Sequence, residues 1–290
     1  MNESCAFGKV HLNSARYTAR MLPVASDTPL GDGMVSCLML TLPVPERLDF
    51  VMRSIAAYCR QTLVRKELVV VVDGRVNSGR DALLDYIGSL KRSDIRIVAT
   101  AGALSLGQLR NTSVAAARGD FLCQWDDDDC SHPERLARQL THLLEGHHDA
   151  ALLQDVVQYF PQTRSLYCLN WRATKAGGHP GTLMVRRSVP IDYPTEGPDA
   201  QLGEDLQVAL ALKQRGRFGY LARMPYLFVY VSHGHNSWHD GHHRMLASTL
   251  SISQGLLLRR EAEIRAGLKF FDFGPGEVGV LGSNGLAFRL

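Results

Sequence analysis

The chain has 290 residues, 45% of them hydrophobic and 21% charged, enough apolar material to bury a core as one unit or two closely merged halves. A net charge of +3 with scattered arginines argues against the concentrated basic face of a nucleic-acid binder. No apolar run reaches the roughly 20 residues a membrane span needs, and no charged start precedes an apolar block, so a cytoplasmic protein without a membrane span is expected.

Residues 1–34 are turn-rich without a clear period, end in Pro29, Gly31 and Gly33, and read as an N-terminal extension. Val35–Thr41 is the first buried strand. Pro43 and Pro45 break it, and Pro45 before Glu46 suits the first turn of a helix carrying Leu48, Val51, Ile55, Tyr58 and Cys59 at helical spacing. The β-branched run 67–72 ends at Asp73-Gly74, a turn signal, and fits a buried parallel strand. A helix over 81–91 and a strand over 94–100 continue the alternation of an α/β layer fold. Ser105 is placed to cap a helix running to Arg118 and closed by Gly119, and the strand 121–125 follows. Ser131-His132-Pro133-Glu134 has the pattern of a capping box, opening a helix lined by Leu136, Leu140, Leu143 and Leu144. Beyond it, strands are expected at 150–160, 182–186 and 226–231, with a helix over 202–215 stopped by Gly216. A His- and Gly-rich segment, 233–243, precedes one long helix to about Gly267 and a glycine-punctuated tail. The six cysteines show no close pairing and read as free thiols, several of them buried, in a reducing compartment.

Four consecutive carboxylates, Asp126 to Asp129, raise one another's pKa unless positive charge sits among them. They follow a buried strand, at the sheet edge where open α/β folds bind ligands. Mg²⁺ and Mn²⁺ accept one or two carboxylates and fill their remaining positions with water and phosphate oxygens. A solvated acidic turn capping the next helix is the alternative. The surrounding string favours the ligand reading: Leu106-Gly107-Gln108-Leu109-Arg110-Asn111, then Ala115 to Gly119-Asp120, an apolar strand, the aspartates, and His132-Pro133-Glu134-Arg135-Leu136.

This string resembles family 2 glycosyltransferases, clearly over residues 35–139 with shorter matches later. The resemblance implies a GT-A fold, a mixed α/β sheet flanked by helices, with a nucleotide-sugar-binding half over 35–130, an acceptor-binding half over 131–235 and a C-terminal lid, helix and tail over 236–290. It implies Asp126 and Asp128 as the Asp-x-Asp pair. Asp128 would bind Mn²⁺ or Mg²⁺ directly, with Asp126 nearer the ribose or the metal's waters and Asp127 beside it on the nucleotide. Thr41, Asp73 and Arg110 fall in the nucleotide pocket, although Asp73 also suits a turn before Gly74 and Arg110 a helix surface. The first strand ends Thr41-Leu42-Pro43 without the usual asparagine, and Val72 stands where a second acid is frequent.

Gly203-Glu204-Asp205-Leu206 resembles the family's Glu-Asp motif, implying Asp205 as catalytic base and Glu204 as its support; two acids in a helix's first turn are otherwise favoured by the dipole. Among the late histidines, His233 is the expected metal ligand, with His235 as alternative. The loop from His179 to Met184 resembles the family's loop into the acceptor half, where it and Trp171 would shape the sugar pocket, a structural turn being the alternative; Trp238 is expected over the donor or on the core. The implied activity is inverting, non-processive transfer from a nucleotide-diphosphate sugar, UDP-sugar favoured, to an acceptor hydroxyl of unnamed glycan, lipid-linked, small-molecule or peptide class; assembly into a homo-oligomer is left open. Residues 214–218 imitate the processive Gln-x-x-Arg-Trp signature but follow the Glu-Asp pair too closely. Two rivals stand: a nucleotidyltransferase, whose lysine-bearing glycine-rich loop is missing near Thr41, and a degenerate, non-catalytic transferase. The Gly-x-Gly-x-x-Gly match at 274–279 follows no strand–turn–helix unit and is discounted.

Overall fold

The structure, a computed structural model, describes residues 33–290, so the expected extension over 1–34 lies outside the described residues except for Gly33 and Met34. Strands β1 (Val35–Thr41), β2 (Lys66–Val72) and β3 (Ile95–Ala99) run parallel, linked by helices α1 (Leu48–Cys59) and α2 (Arg80–Ser89). Helix α3 (Leu106–Ala116) then leads to β4 (Phe121–Gln124), parallel to β1 on its other side. A short β5 (Cys130–Ser131) and α4 (Arg135–Glu145) follow, then β6 (Ala150–Leu153), β7 (Asp155–Phe160), β8 (Ser165–Asn170), β9 (Met184–Arg186), α5 (Glu204–Gln214), β10 (Phe218–Leu221) and β11 (Phe228–Val231). Helices α6 (Asp240–Leu250), α7 (Gln254–Arg259) and α8 (Glu261–Leu268) and the hairpin β12 (Gly279–Gly282) and β13 (Gly285–Arg289) complete the chain.

Among the described residues these strands form a seven-stranded sheet, ordered β10-β6-β9-β4-β1-β2-β3, and a six-stranded one, β13-β12-β8-β7-β11-β5. The larger sheet is mixed, because β9 runs antiparallel to both β4 and β6. It takes β6, β9 and β10 from beyond residue 130, so the two expected halves share one sheet.

The sequence of β2 explains the layering. Leu68 to Val72 are all buried, which requires cover on both sheet faces. One face packs on α1, α2 and α4, where Leu136, Leu140 and Leu143 are fully buried, each contributing roughly 1.5–3 kcal/mol. The other face packs on α3 and α5 through Leu109, Val208, Ala209 and Leu212. No helix among the described residues is long and apolar enough to cross a membrane, and the cysteines Cys37, Cys59, Cys123, Cys130 and Cys168 are free thiols.

Five local expectations are corrected. The strand expected at 150–160 is two strands in different sheets, broken at Gln154, whose N–H donates to Leu221 and whose carbonyl accepts from Trp171. The polar pair Gln154-Asp155 interrupts the apolar run at that point but does not by itself mark a change of sheet. Ser131 caps nothing: it pairs in β5 with Phe228, its hydroxyl accepts from Arg135 at 2.9 Å, and α4 starts after Glu134 without a side-chain cap. The long C-terminal helix is three, because Ser251 is extended and bridges to Leu169 while Ser253 caps α7. The tail forms β12 and β13, joining the second sheet beside β8. The helix closed at Gly119 is observed to end at Ala116, while Ser105 caps it with a full capping box through Gln108.

Candidate active site

The acid loop 126–129 leaves the C-terminal end of β4, as parallel topology dictates, and α1 holds its backbone. Ser54 donates to the Asp126 carbonyl at 2.8 Å and Arg53 to the Asp128 carbonyl at 2.8 Å. The fully buried Arg135 ties the loop's two ends, donating to the Gln124 carbonyl at 3.0 Å and to Ser131 Oγ at 2.9 Å, between the rings of Trp125 and Phe228.

The four aspartates have different sets of partners. Arg110 Nη2 donates to Asp126 Oδ1 at 2.9 Å. Arg47 Nη2 donates to Asp127 Oδ1 at 2.6 Å and to Asp128 Oδ2 at 3.1 Å. Asp128 Oδ2 also meets His233 Nε2 at 3.0 Å. Asp129 Oδ1 accepts from the Val231 amide at 2.9 Å, while its Oδ2 is buried without a partner. These differences split the titration of the run. Burial and the neighbouring Asp128 charge push Asp127 up to about 6, against the pull of Arg47 and the Thr41 hydroxyl. Asp129 is pushed well above the carboxylate range by burial and the Asp128 and Asp126 charges. Asp128 is held below it: the His233 hydrogen bond and the Arg47 charge outweigh burial, its largest single influence.

Arg110 connects this loop to α5. Its Nε donates to Glu204 Oε1 at 3.2 Å while Nη2 holds Asp126, and the residue is 7% exposed. The Glu204-Asp205 turn therefore borders the same cleft as the acid run. Gly203, at φ +84°, starts α5, and Asp205 Oδ1 accepts from the Leu206 amide at 2.7 Å. Burial and Glu204 push the Asp205 carboxyl up to about 7. Thr41 and Asp73 end adjacent strands, the Asp73 amide donating to the Thr41 carbonyl at 2.9 Å. Asp73 is buried and binds Arg75 Nε at 2.7 Å and the Arg75 amide at 3.0 Å, closing its own turn.

The late histidines separate in role. His233 leaves β11, stacks on Phe50 at 4.4 Å and is 7% exposed. Its Nδ1 accepts from the His235 amide at 3.1 Å, so in this arrangement Nε2 carries the proton and donates to Asp128. His239 Nδ1 caps α6 through the His242 amide, and Trp238 stacks on His242 at 4.4 Å, 39% exposed. Trp171 and His179 pack together at 4.7 Å. Gly181 lies in that loop, where a Cβ would come within 3.0 Å of Asp126 Oδ2.

Arg47, Arg53 and Tyr230 carry no local sequence signal, while Arg135 stands in the 132–136 string without a role visible there. Tyr230 lies on β11 with its ring against His179 at 5.4 Å and His243 at 5.3 Å, and burial together with the charges of Asp129, Asp128, Asp126 and Asp205 holds its phenol well above the ordinary tyrosine value.

Known proteins resemble this chain in sequence and in fold. The family model described as Glycosyl transferase family 2 matches residues 41–187. An uncharacterized glycosyltransferase of Methanocaldococcus jannaschii is 27% identical over 135 residues, which are 46% of this chain and 44% of that relative, so less than half of the relative's length is matched. TarS 1–349 of S. aureus in complex with UDP superposes with a TM-score of 0.54 at 16% identity, covering 82% of this chain and 72% of that one. A mannosyltransferase, PcManGT from Pyrobaculum calidifontis in complex with GDP-Man and Mn²⁺, gives 0.54 at 14% identity, covering 82% and 67%. At these identities the two structures share a fold with this chain.

Proposed function

This chain belongs to glycosyl transferase family 2 and has its mixed α/β GT-A fold, and from that premise we propose that it transfers a sugar from a nucleotide-diphosphate sugar to an acceptor hydroxyl. The observation that carries the reading is Arg110, which bonds Asp126 and Glu204 at once and so puts the acid loop and the Glu-Asp helix on one cleft.

Mn²⁺ or Mg²⁺ is part of the proposal. Asp128 Oδ2 and His233 Nε2 are 3.0 Å apart, a spacing that lets both face one small cation at ligand distances of about 2.1 Å. Asp126 would reach its waters. No third His, Cys, Asp or Glu gathers with a pair of such groups as a metal cluster among the described residues, which leaves room for phosphate and water in the remaining positions. When bound, the cation supplies Lewis-acid stabilisation of the diphosphate's charge.

The chain's own residues do the rest. Thr41 and Asp73, at the ends of β1 and β2, are assigned to the nucleotide, with Asp127 beside them. Asp205 is the base: with its carboxyl near 7 it accepts a proton from the acceptor hydroxyl as that oxygen bonds the anomeric carbon, and the nucleoside diphosphate leaves. A single displacement of this kind inverts the anomeric centre. Glu204, held by Arg110, fixes the helix start that presents Asp205. UDP-sugar is the proposed donor, by family analogy and the TarS–UDP likeness; the GDP-Man complex of the second neighbour makes GDP-sugar its competitor. The acceptor-binding half and a cytoplasmic location belong to the same proposal.

The test is mass spectrometry of products from a panel of UDP- and GDP-sugars, with and without Mn²⁺, together with calorimetry of the Asp128→Asn variant. Release of free nucleoside diphosphate, and loss of Mn²⁺-dependent nucleotide binding in the variant, are expected. Release of pyrophosphate would instead identify a nucleotidyltransferase, and unchanged nucleotide affinity in Asp128→Asn would remove the metal site.

A further inference from the structure

Arg47 is a cation of this cleft with no role so far. It ends the tight turn Pro45–Arg47 between β1 and α1, and its side chain is 19% exposed. Its guanidinium holds Asp127 Oδ1 at 2.6 Å and Asp128 Oδ2 at 3.1 Å, and its Nη1 reaches the His235 carbonyl at 3.4 Å. It therefore touches the same carboxylate oxygen that His233 meets, and it straps the acid loop to the 233–236 turn.

The other arginines around the loop are committed elsewhere. Arg110 is locked between two carboxylates, Arg53 reaches a backbone carbonyl, and Arg135 is fully buried in the core. Arg47 is bound to the Asp128 oxygen a divalent cation would claim, and more closely to the neighbouring Asp127 Oδ1. A dication at Asp128 Oδ2 would sit against the guanidinium charge in a site poorly screened by water, so the two cannot share that oxygen. The His233 turn is closed by the same contact set. For Nε2 to face a cation, its proton must go to Nδ1, and the His235 amide that now donates to Nδ1 must turn away. Gly234, at φ +89°, gives the backbone that freedom, while Arg47 restrains the turn through the His235 carbonyl.

We propose that Arg47 is a resident counter-cation that hands its place over. It neutralises the acid pair while the donor is absent and yields Asp128 when a divalent cation arrives. It then binds the incoming diphosphate with the fork of N–H groups that suits phosphate oxygens. The inference rests on the metal–nucleotide reading of the cleft and adds a coupling to it: Arg47 weakens binding of the cation alone and strengthens binding of cation and nucleotide together.

The experiment uses the full chain carrying Arg47→Met or Arg47→Lys. Free Mn²⁺ is counted by electron paramagnetic resonance without nucleotide, and binding of UDP and of GDP is measured by calorimetry in saturating Mn²⁺. Arg47→Met should bind Mn²⁺ alone roughly tenfold tighter and bind the preferred nucleotide roughly tenfold more weakly, one unit charge being removed from the site in each case. Arg47→Lys keeps the competing charge but not the fork, so its Mn²⁺ affinity should stay near that of the parent while nucleotide affinity falls. Should Arg47→Met fail to fold, as judged by its melting transition, Arg47→Gln takes its place. Mn²⁺ affinity that is unchanged or weaker in Arg47→Met overturns the counter-cation role, and unchanged nucleotide affinity overturns the hand-over. A parent protein that binds neither Mn²⁺ nor nucleotide sinks the functional reading itself, and this inference with it.

Discussion

Asp205 meets the local conditions for a proton acceptor. It is half-buried at the first turn of α5, one oxygen is fixed by the Leu206 amide at 2.7 Å, and burial with the Glu204 charge brings its carboxyl to about 7. Below that pH the carboxyl keeps its proton and cannot take another; above it the base form dominates. Turnover should rise through about pH 7 and then level off. Asp205→Asn should remove that limb and lower turnover roughly 10²–10⁴-fold while leaving nucleotide affinity in calorimetry unchanged. A near-normal rate in the variant, or a parent profile flat between about pH 5.5 and 8.5, would remove the base assignment. The acids of this site were readable because they are contiguous in sequence, 126–129 and 204–205. Arg47 and Tyr230 were not, because nothing local marks them: Arg47 lies 80 residues from Asp127 and 188 from His235, and only the closed sheet brings them together.

Helix α3 shows how one element sets the distance between two parts of the site. It carries Arg110 and is docked to the segment before α5 by polar pairs. Asn111 exchanges hydrogen bonds with the Tyr193 backbone at 2.9 and 2.8 Å, and Ser105 donates to the Thr195 carbonyl at 3.2 Å. Between them Gly107 admits the backbone so closely that a Cβ there would lie 1.7 Å from the Pro194 carbonyl oxygen. Gly107→Ala must therefore lift one element off the other and pull Arg110 away from Glu204. Forced overpacking of this kind costs about 1–3 kcal/mol, and the lost alignment should lower turnover as well, read by thermal melting and steady-state kinetics. Parent-like values for both would show that the close approach has no bearing on the site. The glycine's presence in the Leu-Gly-Gln-Leu-Arg-Asn string was visible beforehand, but its reason was not, since Pro194 lies far along the chain. The same limit explains the strands. The first half of the fold follows from its sequence because each buried run ends at a turn residue. In the 150–160 run the polar pair Gln154-Asp155 marks an interruption but not a change of sheet, which Gln154 makes through partners at Leu221 and Trp171.

At the scale of the whole molecule, the cleft concentrates more acid than the chain's own cations offset. Asp126 to Asp129, Glu204 and Asp205 border it, and Arg47, Arg53 and Arg110 answer them. Asp205, brought to about 7, and Asp129, pushed well above its ordinary range, keep protons in the fold that the unfolded chain has already lost. The native state then binds more protons than the unfolded state, so stability falls as pH rises through that window. Two buried histidines act in the opposite sense at lower pH. Burial holds His132 down to about 4 and His179 to about 3, so both stay neutral in the fold, and stability is lost as pH falls below about 6.5, where their unfolded counterparts gain protons. Between about pH 4 and 6.5 the two trends oppose one another, and above about 6.5 only the acids still titrate, so the ligand-free protein should melt progressively lower as pH rises from 6.5 until those acids are ionised, each acid limiting the slope to about 1.4 kcal/mol per pH unit. Mn²⁺ with the preferred nucleoside diphosphate should flatten that alkaline fall, because the added cation stabilises the ionised carboxylates that folding otherwise strains to keep. Differential scanning fluorimetry at fixed ionic strength checks both halves. A ligand-free melting temperature that climbs steadily to pH 8 would mean that the cleft's acids are already neutralised within the protein, leaving no unmet charge to recruit a divalent cation.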